Sequence, residues 1–203
     1  MAKLTAPLLS FGASGQLGKT LVFFPWKGVK AVRTYVIPAN PNTAGQDAQR
    51  GYMEAAVVLL RSAQLATPAF NAEDKAAYAA WAATMPTPRT WFNQYTANFM
   101  RQYSQGLHGA VIYAGTTTPG VDEIALHLDF LDDAPNAITA GTIFYGTSKT
   151  NLMYNMAATI AGHGITATLA SLVTGTRYYM QFRATVHVDY VGVESGIYSD
   201  IAG

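Results

Sequence analysis

Two regimes of hydrophobic spacing divide this chain. They predict an α+β amino-terminal domain over residues 1–109, a β-hairpin plus three helices, followed by an all-β sandwich over 110–203. Up to Gly106 the apolar residues recur at helical spacing, as in Trp91, Tyr95 and Phe99. Beyond Gly109 they alternate, as in Ile124, Leu126, Leu128 and Phe130. Near the end, a Gly175-Thr176 turn feeds a strand that puts Tyr178, Met180, Phe182, Ala184 and Val186 on one face. A tyrosine just past such a turn marks a sandwich in which its hydroxyl is tied back to the upstream backbone, so Tyr178 is read as a structural corner.

The elements follow in order. Residues 1–18 are rich in Gly and Ser, with Gly12, Gly15 and Gly18 spaced by three. They are expected to form an arm that orders on docking, or a short edge strand. Thr20 to Phe24 is β-branched and aromatic, Lys27-Gly28 supplies a turn, and Val29 to Ile37 returns, which makes a hairpin over 19–37. Pro38 and Pro41 make an extended connector. Thr43 with Gln46 has capping-box spacing, and Ala48, Tyr52, Ala55, Leu59 and Ala63 predict a helix over 44–65. Gly51 inside it costs about 1 kcal/mol relative to Ala, so a close packing contact is expected there. A second helix over 72–84 starts after Asn71, with Glu73 and Asp74 in its first turn and Tyr78, Trp81 and Met85 on its buried face. A third over 88–104 starts at Thr87 and Pro88 and stops at Gly106. Gly115 to Gly120, with three threonines and Pro119, reads as a linker. Strands are expected at 124–130, 142–145, 152–156, 165–169, 178–186 and 197–201.

Composition narrows the function classes. Only 12% of the 203 residues are charged, against about 25% in an ordinary soluble domain. The chain also carries 12 tyrosines and 9 phenylalanines. Depleted charge with enriched aromatics is the composition of subunit interfaces, so self-association is expected. A net charge of +1 argues against nucleic acid as a partner. The absence of cysteine excludes disulfides and thiolate metal sites. No run is apolar enough to span a membrane or to serve as a signal peptide, so synthesis in the cytoplasm without a signal peptide is expected.

Several motifs resemble sites of chemistry. Ala13 to Thr20 nearly matches a phosphate-binding loop, but Gly18-Lys19-Thr20 opens a strand-like run where the mechanism needs a helix. His127 with Asp129, and His187 with Asp189, share strand faces, and outward polar alternation produces that spacing without a metal. Asp122-Glu123 and Asp132-Asp133 flank one strand in turn-like settings. No catalytic, cofactor-binding or metal-binding residue is assigned, and the expectation is a protein that is not an enzyme. The candidate interaction residues are Trp26, Lys27, Arg33 and Tyr35 on the hairpin, with Arg50 beyond it. Trp26 serves as core where the hairpin covers the three-helix unit, docks into a neighbouring subunit, or stacks with its basic neighbours on bases or sugars.

The stretch Gly18 to Arg50 resembles a module of phage and prophage structural proteins. The shared features are the Lys27-Gly28 hairpin, the strand ending Val32-Arg33, the helix start Asn40-Pro41-Asn42-Thr43 with Gln46, and the pair Gln49-Arg50, followed by Trp81 and Trp91. The carboxy-terminal strands around Tyr178 resemble the end of a fibronectin type III domain. Together these resemblances imply a structural subunit of a virion, as decoration, tail or connector component, that binds itself and other virion proteins. They carry no catalytic residues. An extracellular filament subunit, or an adhesin module that binds a host-surface glycan, is the alternative.

Overall fold

The computed structural model describes residues 2–3, 14–37, 42–87, 89–132, 138–186 and 190–203. The chain is α+β and divides into two compact units, residues 1–43 and residues 44–203. The division falls after the hairpin, whereas periodicity placed the boundary at 109/110.

The first unit is an antiparallel sheet. Strands β1 (Ala2–Lys3), β2 (Gly15–Leu17), β3 (Leu21–Trp26) and β4 (Val29–Thr34) lie in the order β1-β4-β3-β2. Lys27 and Gly28 turn the hairpin with φ of 49° and 77°, the paired positive values of a two-residue turn that matches strand twist. The return strand ends at Thr34, so Tyr35 and Ile37 lie beyond the ladder rather than on the expected strand face. Residues 4–13, which hold Gly12 and most of the expected arm, lie outside the described residues.

The second unit begins with α1 (Ala44–Leu65), α2 (Ala72–Ala82) and α3 (Trp91–Ser104). Helix α1 buries Ala56, Leu59, Leu60 and Ala63, the i, i+3, i+4, i+7 stripe of an amphipathic helix. Ala48 is exposed, so the expected face starts one turn too early. Around Gly51 a methyl group would meet no atom within 4 Å, so the expected close contact there is absent. Asn71 caps α2. Its side chain accepts from the N–H groups of Glu73 and Asp74, while Asp74 accepts from the Asn71 N–H. Helix α3 is capped by Thr90, whose hydroxyl accepts the Asn93 N–H at 3.2 Å, and not by the expected Thr87. It stops at Gly106 (φ 76°), where the N–H groups of Gly106 and Leu107 donate to the carbonyls of Tyr103 and Gln102.

Among the described residues eight strands follow: β5 (Ala110–Gly120), β6 (Glu123–Asp132), β7 (Ala140–Gly146), β8 (Tyr154–Ala157), β9 (Thr159–Ala161), β10 (Gly164–Leu169), β11 (Arg177–Val186) and β12 (Tyr198–Ile201). They form two antiparallel sheets, ordered β5-β6-β10-β9 and β12-β11-β7-β8. Both sheets feed one core. Ile124, Leu128 and Ile165 come from the first, and Ile143, Met180 and Phe182 from the second, each fully buried. The expected linker Gly115–Gly120 is the second half of β5. The first half of β5 is buried on both faces. Ile112 enters the sheet core, while Val111 and Tyr113 pack with Tyr78, Tyr95 and Phe99 of the helices. Helices and sheets thus share a strand, which is why no boundary falls at 110.

Candidate functional site

Three places in the molecule bring together polar or exposed groups that a core would not need. The first is the hairpin. Of the side chains described in this unit, Phe23 and Ala31 are buried, while Leu17, Leu21, Trp26 and Val29 in the sheet, and Val36 and Ile37 beyond it, are exposed. Register places Trp26 opposite Val29, so both lie on one face. Trp26 is 57% exposed, which removes the reading of it as core. On the same sheet Arg33 sits over the Phe24 ring at 5.5 Å. Tyr35 donates its backbone N–H to the Thr20 carbonyl at 2.7 Å. Lys27 occupies the exposed turn. Arg50 belongs to the other unit, on the exposed first turns of α1, where it pairs with Asp47 at 3.3 Å. Gly18-Lys19-Thr20 is a turn, closed by the Thr20 N–H on the Leu17 carbonyl at 3.0 Å, and leads straight into β3.

The two units also differ in charge. Residues 1–43 carry Lys3, Lys19, Lys27, Lys30 and Arg33 and no acid, so all 12 Asp and Glu residues lie in 44–203 and outnumber the basic residues there. The near-zero net charge of the whole chain conceals this segregation.

The second place is Asp74, which spacing alone marked as a first-turn acid. It is fully buried and accepts four hydrogen bonds. Oδ1 takes the Gly115 N–H at 3.0 Å and the Tyr198 hydroxyl at 2.7 Å. Oδ2 takes the Asn71 N–H at 2.8 Å and the Ala114 N–H at 3.1 Å. Ala114 and Gly115 form a bulge where β5 shifts register against β6, with Ala114 at φ 50°. A bulge leaves backbone N–H groups without ladder partners, and Asp74 supplies the missing acceptors. Burial, reinforced by Asp74, holds the Tyr198 phenol well above its ordinary value, so it stays a donor. Burial likewise raises Tyr78, whose hydroxyl donates to the Ile112 carbonyl at 3.0 Å. With both oxygens committed to such donors, Asp74 is a structural tie between α2, β5 and β12, not a general base.

The third place is a groove in the second unit. Two adjoining hollows, of about 500 and 420 Å³, share Trp81, Met85, Arg101 and Glu194. Arg183 and Lys149 border the first, and Arg89 borders the second. Arg183 pairs with Glu194 at 2.6 Å and covers the Phe144 ring at 5.0 Å. Sequence reasoning assigned none of these residues, because they come from four separate stretches of the chain.

The remaining motifs resolve locally. The Tyr178 hydroxyl accepts the Val173 N–H, five residues upstream, at 3.1 Å. His127 Nε2 and Asp129 Oδ1 lie 3.3 Å apart, and among the described residues no group of three His, Asp or Glu converges on one point. His187 and Asp189 lie outside the described residues, as does Asp133. Asp122 sits in a turn at φ 55° and accepts the Thr174 hydroxyl. Among the described residues no helix is long and apolar enough to cross a membrane. No family model matches the chain, and no curated protein matches it.

Proposed function

We propose that this protein is a structural subunit of a virion or virion-like assembly, with an amino-terminal docking sheet and, later in the chain, a fibronectin type III-like sandwich. The observation that carries the reading is the first unit. A 43-residue unit whose described buried side chains are Phe23 and Ala31, on opposite faces of the sheet, is too small to be stable by its own burial, and it exposes large apolar side chains on both faces, Leu17 and Leu21 on one and Trp26 and Val29 on the other. Surface buried on another subunit supplies what is missing. Its basic character complements the acidic excess of residues 44–203 on a neighbouring copy, which favours a self-associating subunit over one that binds a polyanion.

Support for the sandwich comes from the strand orders β5-β6-β10 and β12-β11-β7-β8 around one core, and from the Tyr178 tie to Val173. The role is scaffolding and display, without catalysis, in a virion or an extracellular assembly.

Analytical ultracentrifugation tests the reading. The intact chain should form oligomers that dissociate as salt rises. Deletion of residues 2–17, or the pair Trp26→Ser and Val29→Asn, should leave the second unit folded and abolish association. A full-length chain that stays monomeric at high concentration, or variants that assemble like the parent, would overturn it.

A further inference from the structure

We propose that the groove along Trp81 and Met85 is a binding site for an acidic saccharide, with Arg101 and Lys149 receiving its carboxylate. This inference does not rest on the assembly reading, since the groove is built from the second unit alone.

Charge is the first argument. Acids outnumber bases in residues 44–203, yet Arg89, Arg101, Lys149 and Arg183 gather around this groove, and among the described residues Glu194 is the single acid lining it. Glu194 is already engaged by Arg183, and its side chain is 11% exposed. That pair is neutral, so among the described lining residues Arg101, Lys149 and Arg89 carry positive charge that no lining acid balances. Arg101 and Lys149 are exposed. Arg101 spends one Nη2 bond on the Gly192 carbonyl at 3.3 Å, which leaves other donors of its planar fork for a carboxylate.

The second argument is what surrounds the cations. Amides (Asn98, Gln181) and hydroxyls (Thr84, Thr150) border the hollows; Asn98, Gln181 and Thr84 already donate to the Gly192, Ser195 and Trp81 carbonyls, and their oxygens are acceptors of the kind that sugar hydroxyls donate to. Met85 and Leu152 add apolar edges for the C–H faces of a pyranose ring. A nucleic acid strand would need aromatic platforms for its bases. Here Trp81 is buried at 4% exposure and the Phe144 ring is covered by the Arg183 guanidinium, so neither offers a free face.

Uronates and sialates share the required chemistry, a carboxylate on a hydroxylated ring. Calorimetry on the full chain at low ionic strength, with tri-galacturonate in one arm and sialyllactose in the other, separates the two sources. Saturable binding of at least one is expected, with neutral galactotriose giving none. Arg101→Ala with Lys149→Ala should weaken it about tenfold or more, the scale of losing one or two charge-assisted bonds, with an unchanged melting midpoint. Binding should persist in the protein lacking residues 2–17, which separates this site from the assembly surface. The proposal is overturned if neither acidic sugar binds, if the double variant binds like the parent, or if inorganic phosphate or poly-glutamate binds equally well.

Discussion

Among the described residues, 14–37 and 44–203 differ in how much they bury. The larger unit has two core clusters joined through β5 and fully buried side chains as large as Tyr78, Phe99, Phe130 and Phe182. The hairpin sheet has Phe23 and Ala31. Folding free energy comes chiefly from apolar area removed from water, at roughly 1.5–3 kcal/mol for each large side chain. Among the described residues the larger unit therefore holds most of the apolar burial, and the smaller one little of it. Electrostatics follow the same division, since residues 1–43 carry five cations and no acid.

The largest effect that tests this contrast is a matched pair of core truncations. Phe182→Ala should cost about 4 kcal/mol in chemical denaturation, the usual range for a fully buried phenylalanine. Phe23→Ala should leave that main transition within about 0.5 kcal/mol of the parent, because its core is separate. A comparable loss for both would join the two units into one cooperative body.

Next comes the buried tie. Asp74→Ala strands the Tyr198 hydroxyl and the N–H groups of Ala114 and Gly115, and should cost about 3 kcal/mol by urea denaturation. Tyr198→Phe removes one donor and should cost about 1 kcal/mol. The same site carries a pH dependence. Tyr78 and Tyr198 ionise in the unfolded chain near 10.0 and at higher pH when folded. Their contribution is fully present below pH 10 and is lost as pH rises beyond it. Ultraviolet titration should show a class of tyrosines that ionise as the fold melts.

Two glycines give smaller effects of opposite sign. A Cβ at Gly196 would lie 2.6 Å from the Ala77 backbone carbon, so Gly196→Ala should destabilise by about 2 kcal/mol. Gly51 is exposed in α1 with open space around it, and Gly51→Ala should stabilise by about 0.8 kcal/mol. Thermal denaturation reads both. Last, Tyr178→Phe takes the acceptor from the Val173 N–H and should cost about 1 kcal/mol; an unchanged denaturation midpoint would strip the corner of its structural role.

Periodic elements were legible in the sequence because one face of each is wet. The alternation of Ile124 to Phe130 predicts β6, and the spacing of Leu59 and Ala63 predicts α1 over its full range. The first half of β5 was not legible. It is buried on both faces, so Ala110 to Ala114 shows no alternation, and its second half has the Gly, Thr and Pro content of a linker. Likewise Thr87-Pro88 has the composition of a helix start, but the cap is Thr90, because the cap is set by which hydroxyl reaches an unpaired N–H.

The sequence by itself determined the helices, the Lys27-Gly28 turn and most of the strands. Each of these follows from neighbours a few positions apart, through dihedral preference and the period of apolar residues. The tertiary structure alone decided where the chain divides, what Asp74 does and where the cations gather. Asp74 meets Ala114, Gly115 and Tyr198 from 40, 41 and 124 residues away, and the groove draws Arg89, Arg101, Lys149 and Arg183 from helix, loop and strand. Such meetings depend on which strand a helix packs against. That choice is made by complementary packing of whole surfaces, which no local spacing in the sequence encodes.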